Sequence, residues 1–149
     1  MLEQKGVAMI WIDPPYEVNK VSIISVEERV GKQARYIRQG AGAEHYAIIN
    51  FVIEPCQGHI GFKNEALIQD DLRGNKEWEQ LFPILICYIY DALKKFILYQ
   101  YNERNLAIGN FMFKLMSLKI HPGDSKLMDF GIATHIGLRE IFQNKKADK

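Results

Sequence analysis

The stretch from Arg35 to Pro55 limits the possible folds more than any other part of this chain, because it has the pattern of two β-strands joined by a glycine-rich turn. Beyond the turn, apolar side chains recur at every second position, as on one face of a strand: Ala47, Ile49, Phe51 and Ile53. Gly40 and Gly42 lie between the predicted strands, and glycine can adopt positive φ without steric cost. The sequence therefore predicts a hairpin with its tip at residues 40–45.

A long helix is predicted within residues 77–101, where apolar side chains recur at i, i+3, i+4 and i+7 from Trp78 to Phe96. Pro83 lies inside this pattern, and a proline in a helix interior costs about 3 kcal/mol. The first turn tolerates proline because its missing amide would have no partner there. We therefore predict that the helix begins near Gln80.

Further strands are predicted on both sides of the hairpin. Residues 7–12 form one candidate, which ends at Asp13-Pro14-Pro15, and residues 18–26 form a second candidate that is apolar on both faces. Residues 62–68 suggest a short edge strand, and residues 111–120 suggest a strand after the long helix.

A second helix is predicted over Lys126–Asn144, with Asp124 or Ser125 as its cap. Its predicted buried residues are Met128, Ile132, Ala133, Ile136 and Ile141. The predicted class is therefore α+β: a two-layer α/β sandwich with both helices on one face of a mostly antiparallel, four-stranded sheet, in the order βββαβα.

Length and composition indicate one ordinary globular domain over residues 1–149. Hydrophobic residues make up 48% and charged residues 25% of the 149 residues. The 19 basic and 18 acidic residues leave a net charge of +1, so any contact with nucleic acid needs a local basic patch. Cys56 and Cys87 are expected to be free thiols in a reducing compartment. No signal peptide or membrane span is expected at the N-terminus, and the expected location is cytoplasmic.

The hairpin resembles the start of domain IV of elongation factor G and related translational GTPases. That family has Arg-Gln-Ser-Gly-Gly-Arg-Gly-Gln-Tyr-Gly/Ala followed by a strand ending in Glu-Pro. This chain retains Arg38, Gln39, Gly42 and Tyr46 in register, and its following strand ends in Glu54-Pro55. The helix with Pro83 and the final segment Leu138-Arg139-Glu140 also match, so the resemblance covers residues 15–143 in order.

The resemblance implies a fold of the ribosomal protein S5 domain 2 type, with a left-handed crossover, and a role in translation. In elongation factors, the glycine hairpin and the loop before the last helix form a tip that contacts RNA in the ribosome. The positions that would bind ribosome or RNA here are Arg38, Gly40, Gly42, His45, His121, Asp124, Ser125 and Lys126. Two departures weaken this role: Ala43 replaces the loop arginine, and the loop before the last helix is about five residues shorter than the family's.

Two functions remain open from the sequence. The first is a non-catalytic module that binds the ribosome or RNA weakly, as a stand-alone protein or as part of a longer or split translational GTPase. The second is a protein-interaction or regulatory module that kept the fold and lost the decoding role. No P-loop sequence for nucleotide binding is present, and the four histidines form no recognisable metal or catalytic spacing. We therefore expect no cofactor, no metal, no membrane contact and no enzyme activity.

Overall fold

The computed structural model describes residues 9–40, 42 and 44–143. Its elements, in chain order, are β1 (Met9–Trp11), β2 (Ile23–Ile24), β3 (Val30–Arg38), β4 (His45–Pro55), β5 (Ile60–Asn64), α1 (Lys76–Arg104), β6 (Ala107–Ile108), β7 (Phe111–Lys119) and α2 (Leu127–Phe142). Two short 3-10 helices occupy Val18–Lys20 and Asp70–Leu72. The protein is thus of the α+β class.

The main sheet has five strands in the order β1-β5-β7-β4-β3, and every pair is antiparallel except β5 and β7. The predicted four-stranded sheet and simple βββαβα order are therefore wrong. The additional strand is β1, which extends the sheet beyond β5. As expected, β7 lies beside the hairpin strand β4. The left-handed crossover of the β5–α1–β7 connection stays a prediction.

The predicted strand over residues 18–26 is reduced to β2, which pairs with β6 in a separate two-stranded parallel sheet. Side chains tie this segment to the connection before β7: the Tyr16 hydroxyl donates to the Ile108 carbonyl at 2.7 Å, and the Ser25 hydroxyl donates to the Asn110 carbonyl at 2.7 Å. Burial raises the pKa of Tyr16 to about 12. These tertiary bonds hold the segment away from the main sheet, and local strand propensity does not reveal them.

Both helices pack on the same face of the main sheet. Phe113 lies between Phe51 and Phe62, with ring centroids 4.6 and 5.5 Å away. These three rings form the part of the core that the sheet contributes. A Cβ atom on Gly137 of α2 would lie 2.7 Å from the Phe51 ring and 2.9 Å from the Ala34 side chain. Glycine is therefore what allows α2 to approach β3 and β4 so closely.

Helix α1 begins at Lys76, so the predicted start near Gln80 is wrong and Pro83 lies about two turns inside the helix. The side chain of Asn75 caps the helix by accepting from the Trp78 amide at 3.1 Å, and Trp78 is buried. The extra turn is therefore stabilised by a cap and by packing. Pro83 itself is exposed, on the side of the helix where water can solvate the unpaired Glu79 carbonyl.

Helix α2 is rotated relative to the prediction, and Asn144 lies outside the described residues. Of the five residues predicted to be buried, only Ala133 is fully buried, and Met128 is 53% exposed. The inward face instead carries Asp129, Phe130, Ala133, Thr134, Gly137, Leu138 and Phe142. The prediction used hydrophobicity alone and chose the wrong face, because Gly137 and the hydrogen-bonded Asp129 lie on the inward face. Neither described helix is long and apolar enough to cross a membrane.

Candidate functional site

The two loops predicted to form a tip do lie together at one end of the sheet. The last pair of the β3–β4 hairpin is Arg38 opposite His45. Strand β7 runs toward the same end, where Lys119 lies opposite Ile48 of β4. The loop 120–126 then leads into α2. We call the hairpin end (residues 38–40, 42 and 44–46) and this loop the tip.

Asp129, in the first turn of α2, joins the two loops of the tip. Its Oδ1 lies 2.7 Å from His45 Nδ1, and its Oδ2 accepts from the Lys126 amide at 2.9 Å and the Tyr46 amide at 3.2 Å. The Asp129 side chain is fully buried. A buried carboxylate needs several donors to offset its lost hydration, and here it has three. Asp129 therefore connects the helix N-terminus to the hairpin.

The orientation of the His45 ring follows from its contact with Asp129. Nδ1 of His45 faces Asp129 Oδ1 at 2.7 Å, and a carboxylate oxygen at that position favours the tautomer with its proton on Nδ1. The opposite ring nitrogen, Nε2, is then directed away from the carboxylate. The His45 side chain is 21% exposed, and its ring contacts the Tyr36 ring at a centroid distance of 5.3 Å. The imidazole is thus held in a fixed position at the edge of the tip.

A second set of hydrogen bonds fastens the loop 120–126 to the hairpin. The Ser125 hydroxyl donates to the Tyr46 carbonyl at 2.6 Å and accepts from the His121 amide at 2.9 Å. The Lys126 ammonium donates to the Glu44 carbonyl. Ser125 was predicted as a possible helix cap, but its hydroxyl is used in this bridge, and Lys126 occupies the N-cap position.

The outer part of the tip is more polar. The Gln39 amide donates to Asp124 Oδ2 at 3.2 Å, and the same oxygen lies 3.3 Å from His121 Nδ1. The Glu44 carboxylate accepts from the Gly40 amide at 2.8 and 3.1 Å. Gly40 and Gly42 have φ values of 109° and 77°, which L-residues rarely adopt. The hairpin therefore needs glycine at both positions; Ala41 and Ala43 lie outside the described residues.

The charges at the tip partly cancel. Arg38 is exposed at the end of β3 and makes no side-chain hydrogen bond within the described part of the chain. Glu44 and Asp124 bring negative charge to the same two loops. The tip can therefore offer Arg38, the histidines and Lys126 to a phosphate, but only a few such contacts are available.

Sequence reasoning placed all eight candidate residues at this end but missed the residue that joins them. Asp129 was assigned to the helix without a role, although an acidic side chain three residues after an N-cap is typical of a capping box. Tyr46 and Gln39 were named only for the resemblance. Within the described residues, no group of three His, Cys, Asp or Glu side chains is placed to hold a metal ion.

No protein-family model matches this chain. In structure, the chain is similar to a protein from Thermus thermophilus whose crystal structure is known, with a TM-score of 0.58 and 17% sequence identity. The similarity covers 83% of this chain and 17% of the other, so this chain spans about a sixth of the length of the protein it matches. At this identity the similarity shows a shared fold, which in the other protein forms part of a much longer chain.

Proposed function

We propose that this chain is a non-catalytic module of the elongation factor G domain IV type, which contacts the ribosome or RNA through the tip. The observation that supports this most is the union of the two family-predicted loops through buried Asp129. The fold similarity to one segment of a longer protein is consistent with a module of this kind. The proposal places the protein in the cytoplasm, and it assigns GTP hydrolysis to none of the described residues.

The geometry favours a tip that binds and positions a ligand over a tip that catalyses a reaction. The side chains of Asp129 and Ser125 are already engaged in bonds that hold the loops together. The exposed side chains of the tip include Arg38, Lys126 and His121, whose nitrogen donors suit phosphate and sugar oxygens. Because the opposing carboxylates reduce the local field, the proposed binding is weak and strongly dependent on salt.

The test is co-sedimentation with ribosomes at low and high salt for the double variant Arg38→Ala/Lys126→Ala. The matched control is Lys94→Ala/Lys95→Ala, which removes two positive charges from exposed positions of α1. We expect roughly tenfold weaker binding for the tip variant and little change for the control, because about two phosphate contacts are lost. Thermal unfolding is measured in parallel, since Lys126 also bonds to the Glu44 carbonyl. Equal binding by both variants would remove the tip from consideration.

A protein-interaction module is the second candidate, and one surface favours it. On the outer side of the helix layer, Ile84, Tyr88 and Met128 are 47%, 43% and 53% exposed. Gly131 of α2 approaches the Tyr88 carbonyl, so these apolar side chains lie near the junction of the two helices. If this surface, and not the tip, is the functional one, the tip variant should bind ribosomes as well as wild type does. Substituting Tyr88 and Met128 by serine would then abolish partner capture.

A further inference from the structure

The sheet face opposite the helices, which we call the open face, carries a row of polar and basic side chains. Strand pairing places Arg35 and Lys119 on either side of Ile48. The next row joins Gln33, Asn50 and Ser117 by hydrogen bonds: Gln33 Nε2 donates to Asn50 Oδ1 at 3.1 Å, and Asn50 Nδ2 donates to the Ser117 hydroxyl at 3.0 Å. The row beyond it places Lys63 beside Lys114.

Positive charge is in excess on the open face, although the whole chain is nearly neutral. Glu54 is shared between Arg29 Nε at 3.1 Å and Lys114 Nζ at 2.9 Å, and the Lys114 hydrogen bond is the main reason that its pKa lies below the usual value. Lys63 is paired with Glu65 at 3.2 Å. Arg35 and Lys119 have no ion-pair partner within the described residues. These two cations are therefore the ones available to an anionic ligand.

Aromatic rings lie at both ends of this basic surface. Trp11 of β1 is 51% exposed and lies beside His59, with ring centroids 4.8 Å apart. A Cβ atom on Gly61 would lie 2.6 Å from Met112 Cε and 3.1 Å from the Trp11 ring, so glycine leaves room for both side chains over β5. At the tip end, the Tyr46 and His121 rings are 5.3 Å apart. Base stacking on such rings contributes substantially to single-strand binding.

We propose that the open face binds single-stranded RNA along a path from Tyr46 and His121 at the tip to Trp11. The inference rests on the proposed function, because it extends an RNA contact at the tip onto the sheet. Arg35 and Lys119 would contact phosphates, and the amides of Gln33 and Asn50 lie where base edges can bond to them. At about 3.4 Å per residue, the eight steps from Tyr46 to Glu54 span roughly 27 Å. A strand of several nucleotides fits this length.

RNA accounts for this surface better than an acidic peptide does. Cations alone would suffice for an acidic peptide, whereas this face also combines aromatic rings at its two ends with a central row of amides. Stacking platforms flanked by cations are typical of sites for single-stranded nucleic acid. Phosphate contacts can be measured by the salt dependence of RNA affinity, and base stacking can be measured by the fluorescence of Trp11.

Trp11 supplies a reporter for this site. The chain has two tryptophans, and Trp78 is buried while Trp11 is exposed on the open face. Titration with an oligo-uridine RNA of about eight nucleotides, within the site size of small single-strand binders, should quench the Trp11 fluorescence. The quenching should disappear in Trp11→Phe and persist in Trp78→Phe. If the RNA binds without any change in Trp11 fluorescence, the path toward β1 is wrong.

The charge test uses Arg35→Ala/Lys119→Ala, with Lys94→Ala/Lys95→Ala as the matched control, and reads affinity by anisotropy of the labelled RNA. We expect at least tenfold weaker binding for the open-face variant and a salt slope reduced by about 1.4, because each lost phosphate contact on single strands contributes about 0.7. The control should retain the wild-type affinity and slope. Equal losses in both variants would show a non-specific charge effect and overturn the proposal.

Two outcomes separate this inference from the proposed function, and a third tests the choice of RNA as the ligand. Loss of ribosome binding in the tip variant, with free RNA affinity unaffected by the open-face variant, would overturn the inference and leave the tip function standing. The reverse result would support the open face and reject the tip. Poly-glutamate that quenches Trp11 and competes as well as RNA would replace RNA by an acidic polypeptide and overturn the assignment.

Discussion

The two faces of the five-stranded sheet are made by the same strands, but only the open face carries a row of polar and basic side chains. On the helix-covered face, Ile49, Phe51 and Ile53 of β4 are almost completely buried. On the open face, Val52 is also buried, but Ile48, Asn50 and Glu54 are partly exposed, and the last two are bonded to polar side chains. Because successive side chains of a strand point to opposite faces, one face specifies the fold and the other is free to carry function.

The strongest test of this contrast compares Phe51→Ala with Ile48→Ala. Phe51 is 1% exposed, stacks on Phe113 and lies under α2, so its truncation should cost about 3–5 kcal/mol of unfolding free energy. Ile48 is only partly buried on the open face, and its truncation should cost about 1 kcal/mol. Urea unfolding measures both values. Similar losses would mean that the open face is packed against something in the folded protein.

A smaller effect is expected at the tip, where a buried carboxylate replaces apolar packing. Asp129→Ala leaves the His45 ring and the amides of Tyr46 and Lys126 without their acceptor, which should cost about 2–3 kcal/mol. Asp124→Ala is the comparison, since the Asp124 carboxylate also bonds across the tip, to Gln39, but its side chain is 19% exposed. Its loss should cost less, about 1 kcal/mol. An unaltered stability for Asp129→Ala would show that the two loops are not joined through this residue.

The smallest effect concerns pH and the open face. Hydrogen bonding to Lys114, and further to Arg29, holds the pKa of Glu54 below its usual value. The folded state therefore favours the ionised form, and this contribution is present above pH about 4.5 and is lost as the pH falls through the lowered folded value. Since Glu54 is partly exposed, we expect less than about 1 kcal/mol. Urea unfolding at neutral and at acid pH should show a smaller loss of stability for Glu54→Gln than for wild type.

The sequence predicted those parts of the fold in which local pattern and tertiary contacts agree. The alternation in β4, the strand over residues 111–120 and the existence of both helices were all visible. The edge strand β1 was also proposed as a segment, but its place in the sheet depends on pairing with β5. The start of α1 was misplaced because the cost of Pro83 was judged without the Asn75 cap and the buried Trp78.

For the site, the loops were predictable and the bonds between them were not. Gly40 and His121 are separated by 80 residues of sequence, and only the fold brings their loops to one end. The face of α2 was predicted from apolar residues alone, which placed Met128 inside and left Asp129 without a role. A buried aspartate depends on donors from a distant strand, and spacing along the sequence carries no signal for that pairing.

The central claim, that the tip faces ribosomal RNA, is tested most directly by hydroxyl-radical cleavage from a probe tethered at Gly123→Cys. A side chain at Gly123 meets no atom within 4 Å, so the substitution should leave the tip intact. Cys56 and Cys87 are first replaced by serine, and Glu103→Cys, at the last turn of α1, is the control. We predict strong, localised cleavage of ribosomal RNA from position 123 and little from position 103. Cleavage of equal strength from both positions, or none from position 123 in complexes that sediment with ribosomes, would contradict the account.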